Sequence, residues 1–230
     1  MKAFGQQIAA RRRFRLAHVL VTAGAFVTVA RTARAEELES GSTRGFAPRQ
    51  DSLQVGFAFV GENVASAGDV CPPDSTIPCI LGSGGGMLVR IGYRASRSWF
   101  IGGAYEFTRH ESANLLRLPI LQQGRAEGRY YFDRGERTTG YLSAGAGVHL
   151  YGSDWAASAW GGVAQVGAGV EFELSPNTVV GCALVYRALI EKAWTDGAGE
   201  RRSDAVLGFG LAHLIGLEFA LEVRDPVPHL

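Results

Sequence analysis

The chain has 230 residues, with 23 Lys and Arg against 22 Asp and Glu, 31 Gly and a mean hydropathy of +0.04. Residues 1–35 hold seven of the basic groups and none of the acids, so the remainder carries 16 bases and 22 acids, a net of −6. That balance offers nucleic acid no basic surface, and the length suits a single domain.

Lys2 and Arg11–Arg12–Arg13–Phe14–Arg15 form a basic start, Leu16 to Ala30 an apolar run, and Ala33–Arg34–Ala35 a small-x-small end. This is the pattern of a cleaved secretory signal, and the apolar run is shorter than a spanning helix needs. Residues 36–51 are polar and aperiodic and read as a flexible leader on the periplasmic side.

From residue 52 onward the chain alternates with period two, the signature of strands. The predicted strands are Ser52–Val64, Gly86–Arg94, Trp99–Phe107, a fourth around "GRAEGRYYF" (124–132), Gly140–Tyr151, Trp160–Leu174, Val179–Arg187 and Asp204–Leu221. His213 falls on the apolar parity of the last, which points to a bulge or an end effect. Tight connections ("ASRS", "DRGERT", "SPN") alternate with longer ones at 65–85, 108–118, 152–159 and 190–203. An even strand number with short turns at one end and long loops at the other predicts an all-β fold: an eight-stranded antiparallel transmembrane β-barrel spanning residues 52–221, with 222–230 as a tail.

Alternation alone also suits a soluble sandwich or a lipocalin-like barrel. The composition of the two faces separates these. One face collects Glu62, Arg90, Arg94, Glu106, Arg125, Glu127, Arg129, Glu171, Glu173, Arg187 and Glu218, nearly balanced in sign and without lysine. A wet surface has no need of that balance, whereas a closed lumen does, and the guanidinium fork suits buried carboxylate pairing. The other face is aliphatic and aromatic. Tyr93, Trp99, Tyr130, Phe132, Phe172 and Phe219 gather outward toward the tight turns, and Phe107, Trp160 and Trp194 toward the long loops. Two such belts match the aromatic girdles of membrane barrels.

Cys71 and Cys79 bracket "PPDSTIP" in the longest loop and are expected to form a disulfide in an oxidising compartment. Closing so short a loop is worth about 3 kcal/mol in the chain-entropy description. Cys182 falls on the lipid face as a small hydrophobe. A C-x7-C pair with no nearby histidine is no zinc site, and "GSGGG" (82–86) lacks the Lys-Ser/Thr of a phosphate loop. A catalytic reading would join His149 to Glu106 and Tyr151 in a polar cluster at the outer mouth, with Ser153 four residues from His149. A satisfied interior histidine is the favoured reading, and no catalysis, metal or cofactor is expected.

"GYLSAGAGV" (140–148) and "GRYYF" (128–132) before a short turn resemble the small eight-stranded outer-membrane barrels of the OmpA-transmembrane-domain, OmpX and OmpW type. Gly216, Phe219 and Leu221 fit the spacing such proteins present in the last strand to the outer-membrane assembly machinery, though "EVRDPVPHL" follows where they often stop. The resemblance implies a monomeric protein of a Gram-negative outer membrane, in contact with its lipids and lipopolysaccharide. It implies a structural or surface-interaction role with a filled lumen. The alternative is a narrow channel for small hydrophobic solutes or ions, and an enzyme acting on lipid A is the third reading.

Overall fold

The computed structural model describes residues 51–71, 78–95, 98–132, 137–153, 156–196, 199, 201–203 and 207–227. The expected signal, residues 1–35, and leader residues 36–50 lie outside the described residues.

Among the described residues ten strands occur in chain order: β1 (Ser52–Ser66), β2 (Gly84–Arg94), β3 (Trp99–His110), β4 (Pro119–Phe132), β5 (Thr138–Ser153), β6 (Ala156–Ser175), β7 (Thr178–Lys192), β8 (Trp194–Thr195), β9 (Arg201–Arg202) and β10 (Phe209–Pro226). Eight of them close a barrel in the order β1-β10-β7-β6-β5-β4-β3-β2, and β8 with β9 forms a separate two-stranded hairpin. Every neighbouring pair in the ring is antiparallel. Closure is made by β1 and β10, in register from Ser52 opposite Pro226, with a shift between Val64 and Ser66. Pairing all round leaves the ring without a free edge, so each strand's backbone polar groups find partners within the wall.

Alternation in the sequence becomes alternation across this wall. Along β4, Arg125, Glu127, Arg129 and Tyr131 are buried while Ala126, Tyr130 and Phe132 are exposed. The inward positions hold the buried charged and polar side chains together with small or apolar ones such as Ala58, Leu88 and Phe100, and the outward ones carry exposed apolar side chains such as Ile101 (70%), Phe59 (58%) and Leu184 (57%). Strand sterics send successive side chains to opposite faces whatever they are. The sequence therefore puts its ions inside and its hydrocarbon outside.

Several boundaries differ from the sequence expectation: β3 runs on past Phe107 to His110 and β7 past Arg187 to Lys192, into expected loops. The last strand continues past Leu221 to Pro226, so Glu222 and Arg224, read as tail, are buried wall residues, and residues 228–230 lie outside the described residues. The expected loop at 152–159 is mostly strand. The β5–β6 ladder carries on beyond a shift at Tyr151/Gly152 to Ser153 opposite Ala156, so this hairpin extends beyond Trp160.

Candidate functional site: the charged interior and its apolar cover

The interior is built in tiers. Nearest the tight turns, three arginines converge on one carboxylate. Glu171 on β6 receives Arg94 at 2.7 Å, Arg129 at 3.2 Å and Arg224, and accepts a hydrogen bond from the Tyr131 hydroxyl at 2.7 Å. Arg224 also reaches Glu173 at 3.1 Å. The Arg94 guanidinium lies 3.6 Å from the Tyr131 ring centroid, and that of Arg129 lies 4.8 Å from Tyr141 and 5.3 Å from Phe100. Aromatic faces thus supply part of the environment that water would otherwise give these cations.

One tier further in, Arg90 on β2 spans the lumen. It meets Glu127 on β4 at 3.0 Å, and Glu218 and Glu222 on β10 at 2.9 Å each. Glu222 also accepts from Gln54, and Glu127 from Arg129 at 2.9 Å. Above these, Arg187 on β7 pairs with Glu62, with Glu106 at 2.9 Å and with Glu218 at 2.6 Å, and donates to Gln165 at 3.0 Å. Arg125 meets Glu106 at 2.9 Å and Glu218 at 3.5 Å.

Sharing decides the energetics. An isolated buried ion costs several kcal/mol, and a pair offsets this only when its remaining donors and acceptors are also engaged. Here Glu62, Glu106, Glu127, Glu171, Glu218 and Glu222 each face more than one cationic or neutral donor. The network closes on itself from β1 round to β10.

Toward the loops the chemistry changes. His110 sits between Glu62, at 3.1 Å from Nε2, and the Gly82 carbonyl, at 2.8 Å from Nδ1. His149 lies 3.1 Å from the Gly162 carbonyl through Nδ1 and 3.6 Å from Glu191 through Nε2. Beyond them an apolar cluster fills the mouth: Val70, Ile80 and Leu81 from the 67–83 segment pack on Leu121, Tyr151, Val163, Leu189 and Leu214 of the wall. Three ties fix this cover. The Cys71–Cys79 disulfide forms, with its Cα atoms 5.0 Å apart, and the Tyr151 hydroxyl donates to the Ile80 carbonyl at 2.6 Å. Fully buried Arg202 donates to the Val70 carbonyl at 3.3 Å and pairs with Asp196 at 2.7 Å, so the β8–β9 hairpin clasps the same segment.

The eleven charged residues expected inside (Glu62, Arg90, Arg94, Glu106, Arg125, Glu127, Arg129, Glu171, Glu173, Arg187 and Glu218) all take part in ion pairs within the barrel, with Glu173 only partly buried. Sequence reasoning missed Glu222, Arg224, Glu191, His110 and Gln54. A signal for two of these was present: Glu218, Glu222 and Arg224 share one parity, and Leu221 and Val223 continue the other. Glu191 and His110 were assigned to loops that the ladder turns out to include.

Among the expected girdle residues, Tyr93, Trp99, Tyr130, Phe132, Trp160, Phe172 and Phe219 are exposed on the outer face, and Phe107 is half-buried there. Trp99 and Tyr130 meet at a tilt with ring centroids 4.9 Å apart, and Tyr130 meets Phe132 edge-on at 5.4 Å. Trp194 departs from the expectation. The chain leaves β7 at Lys192 and folds over the mouth, so Trp194 packs on the inner apolar cluster and donates to Glu191 at 3.3 Å. His213 does point outward, hydrogen-bonded to Tyr186 at 2.6 Å and lying opposite the irregular end of β1.

The polar cluster of His149 with Glu106 and Tyr151 does not assemble. Tyr151 serves Ile80, Glu106 serves Arg125 and Arg187, and Ser153 accepts the Leu118 amide at 3.5 Å. Among the described residues no cluster of His, Cys, Asp and Glu is arranged to hold a metal ion.

A closed antiparallel ring of eight strands, apolar without and ionic within, is the fold of the small outer-membrane barrels. OprG of Pseudomonas aeruginosa matches with a TM-score of 0.52 at 11% identity, covering 80% of this chain and 99% of that one. Neisserial surface protein A matches at 0.48 with 18% identity (76% and 97% covered), and AlkL, solved in lipid bilayers, at 0.49 with 16% identity (85% and 99% covered). No family model and no curated protein sequence matches the chain.

Proposed function

We propose that the protein is an integral barrel of a bacterial outer membrane whose role is structural or surface-interacting, exported by a signal that is then cleaved, with its long loops on the cell exterior. The observation that carries the filled-lumen part is the burial of the interior ions. Arg187 and Glu106 are 0% exposed, Arg129 1% and Arg90 2%. Side chains lining a water-filled path would be wet, whereas these touch one another from wall to wall. The apolar cover adds a second barrier, since hydrocarbon packed across the mouth excludes hydrated ions.

Reconstitution into planar bilayers tests the reading. The expected result is a protein that inserts, shows heat-modifiable migration on gels and produces no discrete conductance steps. Clear single-channel steps would instead support a narrow channel for small hydrophobic solutes or ions.

A further inference from the structure

The outer face changes character with height. Toward the loops its apolar belt is interrupted by polar aromatic pairs: the Tyr105 hydroxyl donates to Gln122 at 2.8 Å, and Tyr186 stacks on His213. Just beyond this collar stand two cations, Arg109 on β3 and Lys192 on β7, both exposed. They are the charged outward positions of the described barrel strands at this end, and both are positive. At the tight-turn end, the outward charges flanking the β1–β10 seam are acids, Asp51 and Asp225.

Each cation has an aromatic setting. The Lys192 ammonium lies 5.3 Å from the centroid of Trp160, itself 57% exposed, and Lys192 stands opposite exposed Phe209 in the β7–β10 register. Arg109 ends the outward ladder Tyr105, Phe107, Arg109. In the ring order β3 and β7 lie four strands apart by either route, so the two positions face opposite sides of the barrel. The nearest exposed acid in chain order is Glu111, two residues past Arg109, where its backbone is paired to Gly82 and Ser83.

We propose that Lys192 with Trp160 and Phe209, and Arg109 with Phe107, are two binding positions for the phosphate groups of lipid A in the outer leaflet. The proposal rests on the outer-membrane reading above and names its lipid partner. The chemistry fits. A ring of aromatics marks the boundary between hydrocarbon and headgroup, and a cation one step beyond it meets phosphate while its stem stays in the apolar layer. The Trp160 face holds the Lys192 ammonium in place before the lipid arrives, and the Arg109 fork matches two phosphate oxygens. Acyl chains descend along Ile190, Leu184 and Val166, all exposed below the Lys192 position.

Native mass spectrometry of the detergent-folded full-length barrel, titrated with bisphosphorylated lipid A and with its dephosphorylated form, tests this. The wild type is expected to retain up to two phosphorylated lipids. K192Q and R109Q should each lose one adduct, with about fivefold weaker retention per cation removed. The double variant should no longer distinguish the two lipids. R201Q, which alters an exposed arginine of the β8–β9 hairpin bonded to Ser203, should bind as the wild type does. Equal retention by wild type and double variant, both heat-modifiable on gels, overturns the proposal while leaving the barrel reading intact. A wild-type protein that never inserts into lipid overturns both.

Discussion

Arg187 on β7 and Glu62 on β1 pair directly inside the barrel, although 125 residues separate them and β10 lies between their strands. The bond exists only because the ring closes. Arg187 simultaneously holds Glu106 and Glu218, so one guanidinium ties together β1, β3, β7 and β10.

Replacing Arg187 by Leu takes one cation away from three carboxylates in a dry interior. The expected loss is about 3–5 kcal/mol, read as a shift in the urea midpoint of the detergent-folded barrel. Replacing Glu62 and Arg187 together should cost less than the two single losses added. A fully additive double variant would show that the pair is not coupled.

The outer face gives the opposite test. Leu184 is 57% exposed and surrounded on its face by Val166, Tyr186 and Leu217. Leu184→Arg should cost about 2–4 kcal/mol in a bilayer, as for a cation near the midplane of a membrane barrel. A soluble protein would accept the same change at an exposed site with almost no effect. Folding yield into vesicles, compared with the wild type, discriminates the two.

Ending the chain after Leu221 should destabilise the barrel, because it removes Glu222 from Arg90 and Arg224 from Glu171, together with the last rungs of the β1–β10 seam. Ending it after Val227 should be neutral. Loss of heat-modifiable migration in the shorter protein alone is the expected outcome. Equal behaviour of the two would return residues 222–226 to the status of a tail.

The cover over the mouth depends on the disulfide and on Tyr151. The double change Cys71→Ser, Cys79→Ser is expected to cost about 2–4 kcal/mol and to make the 67–83 segment a substrate for limited proteolysis while the barrel core stays resistant. Tyr151→Phe, which deletes only the hydroxyl bonded to Ile80, should cost about 1 kcal/mol. Proteolysis that leaves this segment untouched in the cysteine variant would show that the apolar packing suffices.

Small residues inside the wall set a further limit. Gly92 and Gly102 face each other across β2 and β3, and a Cβ on Gly102 would lie 2.3 Å from the Ile91 carbonyl and 2.7 Å from the Phe100 ring. Gly102→Val should therefore cost about 1–3 kcal/mol or more by overpacking, detectable as a lower thermal midpoint in detergent.

Much of this architecture was legible in the chain itself. In "GRAEGRYYF" the strict alternation of Arg125, Glu127 and Arg129 with Ala126, Gly128 and Tyr130 specified two faces, and the balance of signs specified which face is enclosed. Where reasoning stopped short, it stopped at strand ends. Glu191 and His110 adjoin segments rich in polar residues, and local pattern cannot tell a strand that continues beyond the barrel rim from a loop. Trp194 misled for the same reason: its parity is meaningful only while the strand lasts, and the chain turns inward one residue earlier.

The sequence by itself determined the eight barrel strands, the side on which the residues of their cores lie and the disulfide, because these follow from two-residue periodicity and short spacing along one chain. Only the tertiary structure decided which arginine meets which carboxylate, that Val70, Ile80 and Leu81 seal the mouth, and that Lys192 rests on Trp160. Those are contacts between distant strands and inserted loops. They depend on ring closure and register, which no local pattern encodes.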